Sequence, residues 1–303
     1  MKNEAAPQRP YGPEWFKKRA FESIHPLGPH EWDFSDSLLL YTEAGEEEYE
    51  HVQDTTNPYH ELVTKPEHEY LAEVAEQIMT ELPDEFEFID LGPGTEGKEQ
   101  FFFDAAKKLG KKFKYVPVDI SKAFLSGARE NARKQRIEVT PVQASFEELP
   151  SPGSSSLPRF VSLGFTYSNY HPKEAIRLLR GIAGEKGYVF INSQLRERTD
   201  TAKLQEIYAG MKGMFDGKLA FLGLSPSDVS ELETTDGIQI WCRVLNSNPQ
   251  LEAKGVKSGD RMLIFQSLRP SKESHEQDMA KTPHTTYDTG GSFVATLLTP
   301  EVR

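Results

Sequence analysis

The chain has 303 residues, 37% of them hydrophobic, and a formal net charge of −12 at pH 7. This length allows one large hydrophobic core or two small ones, and the negative charge argues against the phosphate backbone of a nucleic acid as the main partner. The single cysteine, Cys242, excludes an intramolecular disulfide and a metal site built from cysteines.

The sequence contains no apolar run near the roughly 18 residues that a membrane-spanning helix needs. Its first residues also lack the apolar segment of a secretory signal, and one cysteine fits a reducing compartment. We therefore expect a cytoplasmic protein that does not enter a membrane.

The first half of the chain changes its pattern near Phe86. The first 60 residues are rich in proline, glutamate and aromatic residues without strand-like alternation, which predicts loops and short helices. A helix is predicted in KPEHEYLAEVAEQIMTEL, because Leu71, Val74, Ala75 and Ile78 recur at helical spacing.

From Phe86 onward, strand-like and helix-like segments alternate. The predicted strands are FEFIDLG, KYVPVDI, IEVTPVQ, RFVSLGF and GYVFINS. The predicted helices between them are EGKEQFFFDAAKKLG, SKAFLSGARENARKQ and PKEAIRLLRGIAG. This alternation indicates βαβ units and a parallel sheet, so we predict an α/β fold.

After Ser193 the alternation stops. TDTAKLQEIYAGMKGMF predicts a helix, and IQIWCRVL, RMLIFQSL and SFVATLL predict three late strands. The polar segment SKESHEQDMAKTPHTTYDTGG is predicted to be mostly loop. Five strands that alternate with helices, followed by three late strands, favour a sheet of the nucleotide-binding kind with an added subdomain.

A glycine-rich turn, DLGPGTEGK, closes the first predicted strand. In an open α/β sheet ligands bind outside the carboxyl ends of the strands, and glycine lets the backbone approach them closely. Gly92, Gly94 and Gly97 do not have the dinucleotide spacing G-x-G-x-x-G, and Lys98 lacks the Walker spacing. The pattern is typical of enzymes that bind S-adenosylmethionine; a plain strand-to-helix turn is the alternative.

An acid closes the second strand. Asp119 ends YVPVDIS, 25 positions after Gly94, where an acidic side chain can accept both ribose hydroxyls of an adenosine. Asp119 or Ser121 could instead cap the next helix. The turn and the acid together favour a site for S-adenosylmethionine.

Four segments in this order, GPGTEGK, YVPVDIS, LGFTYSN and LQEIYAG, resemble the histidine-specific N-alpha-methyltransferases of ergothioneine biosynthesis. The resemblance extends from about Tyr41 to Val294. It implies a Rossmann-like methyltransferase sheet that binds S-adenosylmethionine, with a second, substrate-binding subdomain made from the N-terminus and a late insertion. It predicts four parts: residues 1–69 and 197–267 for substrate binding, 70–196 for the methyltransferase core, and 268–303 to complete the core sheet.

The resemblance also implies roles for individual residues. The cofactor positions are Gly92, Gly94, Lys98, Asp119, Ser145 and Phe146. Ser145 stands where the family has an acid that holds the adenine amino group. The substrate positions are Tyr41, Tyr49, Tyr59, Asn169, Tyr208, Phe265 and Ser267, with Asn169 and Tyr59 as the catalytic pair. No metal and no covalent intermediate is expected.

One position departs from the family. Its late strand carries an acid that binds the imidazole of histidine, and a serine two residues later; here Ser267 matches the serine and Phe265 takes the place of the acid. A phenyl ring cannot accept an imidazole N–H, and an unpaired N–H would cost about 1–3 kcal/mol. The predicted methyl acceptor is therefore an amino acid or related small amine, similar to histidine but not histidine.

Two alternatives remain open from the sequence. Phe265 is compatible with a methyltransferase of the same fold that acts on an aromatic alkaloid or an oxygen nucleophile. Ser145 is compatible with a non-catalytic relative that serves as a binding module. His171 is a candidate general base, but Pro172 follows it, which favours the start of a helix instead.

Overall fold

The strands of the chain form two β-sheets in the residues that the computed structural model describes, which are 11–42, 51–152, 157–235 and 237–300. The α-helices of these residues are α1 Pro13–Glu22, α2 Lys65–Glu81, α3 Glu99–Lys108, α4 Lys122–Lys134, α5 Pro172–Ala183, α6 Thr201–Gly210, α7 Lys212–Ala220, α8 Pro249–Lys254 and α9 Lys272–Met279. The strands are β1 His25–Gly28, β2 Glu31–Asp33, β3 Glu85–Leu91, β4 Lys112–Asp119, β5 Val142–Gln143, β6 Arg159–Ser162, β7 Tyr188–Gln194, β8 Glu233–Thr235, β9 Gln239–Arg243, β10 Arg261–Gln266, β11 His284–Asp288 and β12 Phe293–Leu298. No helix among the described residues is long and apolar enough to cross a membrane.

The larger sheet contains seven strands in the order β11-β12-β7-β6-β3-β4-β5. The five strands from β7 to β5 pair in parallel, whereas β12 is antiparallel to both β7 and β11. Helices connect most of the successive parallel strands, which is the Rossmann-like arrangement. The predicted α/β fold is therefore confirmed.

The strand order of this sheet reverses between β3 and β6. In an open α/β sheet, the crevice outside the carboxyl ends at such a reversal is where ligands bind. Leu91 ends β3 and Ser162 ends β6. The segments that follow these residues, 92–98 and 163–169, therefore flank the expected crevice.

Phenylalanine side chains fix α3 against the larger sheet. Phe88 on β3 is 1% exposed. Its ring centre lies 5.7 and 6.1 Å from those of Phe102 and Phe103 on α3, and 5.0 Å from that of Phe160 on β6. Tilted and edge-to-face pairs of this kind are favoured between aromatic rings. The turn between β3 and α3 is thus held at both ends by buried rings.

The smaller sheet has five strands in the order β1-β2-β10-β9-β8. Its first two strands come from the N-terminal segment and the other three follow α7, and the two groups meet where β2 pairs in parallel with β10. Two distant segments of the chain therefore build one sheet. The domain boundaries after residues 69, 196 and 267 stay a prediction.

A buried lysine ties the smaller sheet to the N-terminal segment. Lys218 on α7 is 1% exposed, and its ammonium donates hydrogen bonds of 2.8 Å to the carbonyl oxygens of Asp36 and Ile264. The same nitrogen lies 4.7 Å from the centre of the Phe34 ring. Burial lowers the pKa of Lys218 to about 7, because a buried site disfavours the charged form.

Residues 271–288 contain more regular structure than the sequence predicted. Ser271 caps α9 by accepting a hydrogen bond from the Ser274 N–H at 3.1 Å. The helix buries only His275 and Met279, and β11 buries only Tyr287. Too few apolar residues recur here to give a periodic pattern, so the prediction of a loop was wrong for α9 and β11.

Two further predictions from the sequence need correction. The N-terminal segment contains β1 and β2 as well as α1; the four residues of β1 are all exposed, which removes the alternation that marks a strand. The helix predicted for residues 199–215 is broken into α6 and α7 at Met211, whose ψ of 33° leaves the helical region.

A buried histidine makes the stability of this fold depend on pH. Burial, together with the nearby His284, lowers the pKa of His275 to about 4, and its Nε2 lies 2.9 Å from Thr296 Oγ1. Below about pH 6.5 the imidazole of His275 binds a proton in the unfolded chain but stays neutral in the folded chain. The folded state therefore loses stability as the pH drops from about 6.5 towards 4.

We predict that His275→Gln removes up to about 3 kcal/mol of the loss in unfolding free energy between pH 7 and pH 4, since one pKa unit corresponds to about 1.4 kcal/mol. Urea unfolding at both pH values measures this difference. His25→Gln, at an exposed position, is the matched control and leaves the loss unchanged. An equal pH dependence in wild type and His275→Gln contradicts the assignment.

Candidate active site

The turn after β3 needs glycine at its first position. Gly92 has φ of 68°, in the left-handed region that side chains disfavour. A Cβ atom there would lie 3.4 Å from Phe146 Cζ, 3.7 Å from Thr166 Oγ1 and 4.0 Å from Asp119 Oδ2. A side chain at position 92 would therefore fill the crevice, and the glycine keeps it open for a ligand.

Asp119 lies where the start of α4 meets the crevice. It ends β4 and is 7% exposed, and its Oδ1 accepts a hydrogen bond of 2.7 Å from the Ser121 N–H. Ser121 itself caps α4 by accepting from the Phe124 N–H at 3.2 Å. Asp119 thus supports the start of the helix and also faces the crevice beside Gly92.

These residues line one pocket, which we call the glycine pocket. It is lined by Ser37, Leu38, Tyr41, Gly92, Gly94, Asp119, Phe124, Phe146 and Thr166. Ser145 is buried but is not among these lining residues; its N–H donates to the hydroxyl of Tyr11 at 2.9 Å. The role of Ser145 towards adenine stays a prediction.

A second pocket, which we call the tyrosine cavity, adjoins the glycine pocket. Its lining includes Leu40, Tyr41, Val52, Gln53, Tyr59, Val63, Glu67, Glu96, Lys98, Phe165, Thr166, Ser168, Asn169, Tyr208, Met211, Met214, Phe265 and Ser267. Tyr41 and Thr166 line both pockets. A ligand in the glycine pocket and a ligand in the tyrosine cavity would therefore be neighbours.

The structure brings together six of the seven predicted substrate residues in the tyrosine cavity: Tyr41, Tyr59, Asn169, Tyr208, Phe265 and Ser267. Tyr49 lies outside the described residues. Their individual roles stay predictions.

Both sheets contribute to the tyrosine cavity. Asn169 ends the 3₁₀ turn Gly164–Asn169 that follows β6 of the larger sheet. Phe265 lies on β10 of the smaller sheet, and Ser267 directly follows that strand. Tyr208 on α6 closes a third side, with its ring 6.1 Å from that of Tyr59 at an angle of 87°.

Phe265 is held between two other rings. It is 6% exposed, and its ring centre lies 5.5 Å from that of Tyr208 and 5.6 Å from that of Phe215. The side of the cavity at β10 is therefore aromatic.

The hydroxyl of Ser267 is fully used within the protein. Its Oγ accepts hydrogen bonds from Arg269 Nη1 at 2.7 Å and from the Tyr208 hydroxyl at 3.3 Å. It lies 3.0 Å from Ser168 Oγ, whose hydrogen is donated to the carbonyl oxygen of Phe165 at 2.8 Å. Ser267 therefore donates its hydrogen to Ser168, and a hydroxyl with one donor and two acceptor positions has none left.

Buried charges lie where the tyrosine cavity meets the crevice. Lys98 Nζ lies 3.1 Å from Glu67 Oε2 and 2.5 Å from Glu96 Oε2, and Asn192 Nδ2 donates to Glu67 Oε1 at 2.7 Å. Burial disfavours the charge of Lys98, but the two carboxylates outweigh it and raise its pKa. Burial raises the pKa of Glu67, an effect that Lys98 opposes.

The hydroxyls of Tyr41 and Tyr59 are neutral at physiological pH. Burial raises the pKa of Tyr41 above the ordinary value of a phenol, and the charge of Asp119 adds to this effect. Burial also raises the pKa of Tyr59, and its neighbour Tyr208 raises it further. Neutral phenols can donate or accept a hydrogen bond without adding charge.

Sequence reasoning missed Glu67 and Thr166. Thr166 lies inside the quoted segment LGFTYSN and lines both pockets. Glu67 had a detectable signal: it is four residues before Leu71 and seven before Val74, so it falls on the apolar face of α2. A 1%-exposed acid on such a face marks either a paired charge or a site.

A search of curated proteins found no match. Among solved structures, the chain is similar to an S-adenosylmethionine-dependent methyltransferase from Clostridium acetobutylicum ATCC 824, at 13% identity over 84% of this chain and 99% of that chain, with a TM-score of 0.45. It is also similar to the Burkholderia thailandensis 1,6-didemethyltoxoflavin-N1-methyltransferase, at 9% identity over 92% of this chain and 95% of that chain, with a TM-score of 0.45.

A family model decides the assignment. The model described as histidine-specific methyltransferase, SAM-dependent (SAM being S-adenosylmethionine), matches residues 31–216, which is more than half of the chain. The matched range includes the glycine turn, Asp119, Asn169 and Tyr208. The chain therefore belongs to the family of histidine-specific, SAM-dependent methyltransferases.

Proposed function

We propose that this methyltransferase methylates the nitrogen of an amino acid or related small amine other than histidine. The observation that carries the proposal is the tyrosine cavity, in which Tyr59, Asn169 and Tyr208 offer neutral polar groups and Phe265 presents an aromatic ring. The cofactor is S-adenosylmethionine, as the family assignment establishes.

The residues of the glycine pocket fit this cofactor. When bound, S-adenosylmethionine supplies an electrophilic methyl group on a positively charged sulfur. Gly92 leaves space that a Cβ would take from a ligand lying against Phe146. Asp119 at the end of β4 is the acceptor for ribose hydroxyls, and Phe146 supplies an apolar surface for the adenine.

The tyrosine cavity has to hold an amine in its neutral form, because an ammonium has no lone pair for the methyl group. The amide of Asn169 and the phenol of Tyr59 hydrogen-bond an amine without adding a negative charge that would favour its protonation. Tyr59 and Tyr208 are only 9% and 5% exposed, so these two side chains are largely shielded from solvent. Holding two reactants in one orientation accounts for much of the rate in such reactions.

The part of the cavity at β10 disfavours an imidazole. Phe265 cannot accept a hydrogen bond, and the hydroxyl of Ser267 is already used by Arg269, Tyr208 and Ser168. A buried imidazole N–H without an acceptor costs about 1–3 kcal/mol. An apolar or aromatic group packs against Phe265 at no such cost.

An acceptor screen tests the proposed function. Amino acids, their decarboxylated amines, alkaloids and phenols are incubated with the enzyme and S-adenosylmethionine, and product masses are read for added methyl groups. We expect nitrogen methylation of an amine with an apolar or aromatic side group, and little product from histidine. Methylation confined to oxygen acceptors, or efficient methylation of histidine, contradicts the proposal.

Phe265→Glu places a carboxylate where the imidazole of a bound histidine would need an acceptor. We predict that kcat/KM for histidine rises roughly five- to 150-fold relative to wild type, because the restored hydrogen bond contributes about 1–3 kcal/mol. Phe265→Leu is the control, since it removes the ring without adding an acceptor. An equal rise in both variants shows that space, rather than the acid, limits histidine.

Asp119→Ala removes the acceptor for the ribose hydroxyls. We predict a weaker affinity for S-adenosylmethionine by about 1–3 kcal/mol, roughly five- to 150-fold in Kd, as measured by titration calorimetry. Asp104→Ala, which removes an exposed acid from α3, leaves the affinity unchanged. Thermal unfolding of both variants separates a lost ligand contact from a lost helix cap at Ser121. Equal affinities for wild type and a folded Asp119→Ala contradict the role of Asp119.

A further inference from the structure

Behind the wall of the tyrosine cavity lies a buried guanidinium. Arg269 is 3% exposed, and its Nε donates to Gln194 Oε1 at 2.9 Å. Its Nη1 donates to the carbonyl oxygen and to the hydroxyl of Ser267, both at 2.7 Å. The guanidinium carbon lies 4.5 Å from the centre of the Phe165 ring. Every acceptor that Arg269 uses is therefore neutral.

Arg269 also has donor capacity left over. Its Nη2 is buried and has no hydrogen-bond partner. In residues 11–42, 51–152, 157–235 and 237–300, no carboxylate forms an ion pair with it, whereas Lys98 is held by two. Buried charges in proteins are normally paired with an opposite charge, so the counter-ion of Arg269 is absent from the described chain.

A buried positive charge without a counter-ion can be avoided if the group loses its proton. Burial lowers the pKa of Lys218 to about 7, so that lysine can become neutral. A guanidinium stays charged at any physiological pH. The positive charge beside the cavity is thus permanent.

The guanidinium acts on the cavity through the residues that line it. Ser267 and Phe165, both in contact with Arg269, line the tyrosine cavity. Ser267 in turn receives the hydroxyl hydrogen of Tyr208. The charge of Arg269 also reaches Tyr59, where it opposes the rise in pKa that burial causes. Arg269 therefore adds a positive charge behind the end of the cavity formed by Tyr59, Tyr208 and Ser267, whereas the carboxylate of Glu96 acts on Tyr59 in the opposite sense.

We propose that Arg269 determines acceptor specificity: it supplies the buried positive charge that favours an amine carrying a carboxylate over the same amine without one. This inference rests on the proposed function and names the class of its substrate as amino acids rather than simple amines. Arg269 is a positioning residue, since it acts through Ser267 and the two tyrosine hydroxyls. In a low-dielectric cavity such a charge acts more strongly than it would in water.

The test compares matched probes that differ only in charge. L-phenylalanine, L-phenylalaninamide and 2-phenylethylamine, and likewise L-tryptophan, its amide and tryptamine, are titrated into the enzyme in the presence of S-adenosylhomocysteine, and Kd is measured by calorimetry. We expect the acid of at least one set to bind wild type at least tenfold more tightly than its amide. In Arg269→Gln the two bind within about twofold, while the affinity for S-adenosylhomocysteine is unchanged.

Two controls separate specificity from general loosening of the fold. Arg133→Gln removes the same charge from an exposed position near the end of α4 and keeps the wild-type preference. Arg269→Lys restores the charge without the planar geometry and recovers part of the preference. The ratio of acid to amide affinity is unaffected by a structural defect that weakens all ligands alike.

The inference is overturned if wild type binds no acid more tightly than its amide, which includes binding neither, or if Arg269→Gln keeps the preference. The comparison of acid and amide affinities in wild type tests the inference even if Arg269→Gln does not fold. Different outcomes would contradict the proposed function. Arg269-dependent binding of acids with no nitrogen-methylated product refutes the proposed function, and methylation of amines and amino acids alike refutes only the role of Arg269.

Discussion

The reversal of strand order between β3 and β6 positions both pockets of this protein. It sets the turn at Gly92 beside the turn Gly164–Asn169, because both follow the carboxyl ends of neighbouring parallel strands. The first turn leaves a space that a Cβ would fill, and the second carries Asn169 and Thr166. The glycine pocket and the tyrosine cavity thereby share one wall, as the proposed binding of cofactor and methyl acceptor requires.

The smaller sheet completes the cavity from the other side. Pairing of β2 with β10 brings the N-terminal segment to the strand that carries Phe265, and Lys218 fastens the two through carbonyl oxygens. Charged side chains are distributed unevenly around the tyrosine cavity. Glu67, Lys98 and Glu96 form a closed group towards the crevice, whereas Arg269 contributes a positive charge without an acid among the described residues.

The central strands β3, β6 and β7 of the larger sheet could be predicted from the sequence because they are largely buried and read as short apolar runs. Gly92 and Asp119 could be located because a strand end fixes where its next residues lie. The pairing of β2 with β10 could not be predicted, since Glu31 and Arg261 are far apart in the chain and β1 has no buried residue to show a pattern. The burial of Arg269 likewise depends on partners that only the folded chain brings near.

A crystal structure of the enzyme with S-adenosylhomocysteine would show whether the glycine pocket and the tyrosine cavity act together in methyl transfer. We expect the ribose to lie against Asp119, the adenine to lie beside Phe146, and the sulfur to face the cavity formed by Tyr59, Asn169 and Tyr208. A sulfur that faces away from this cavity, or an adenosine bound elsewhere than at the Gly92 turn, would contradict the shared wall and with it the proposed site of methyl transfer.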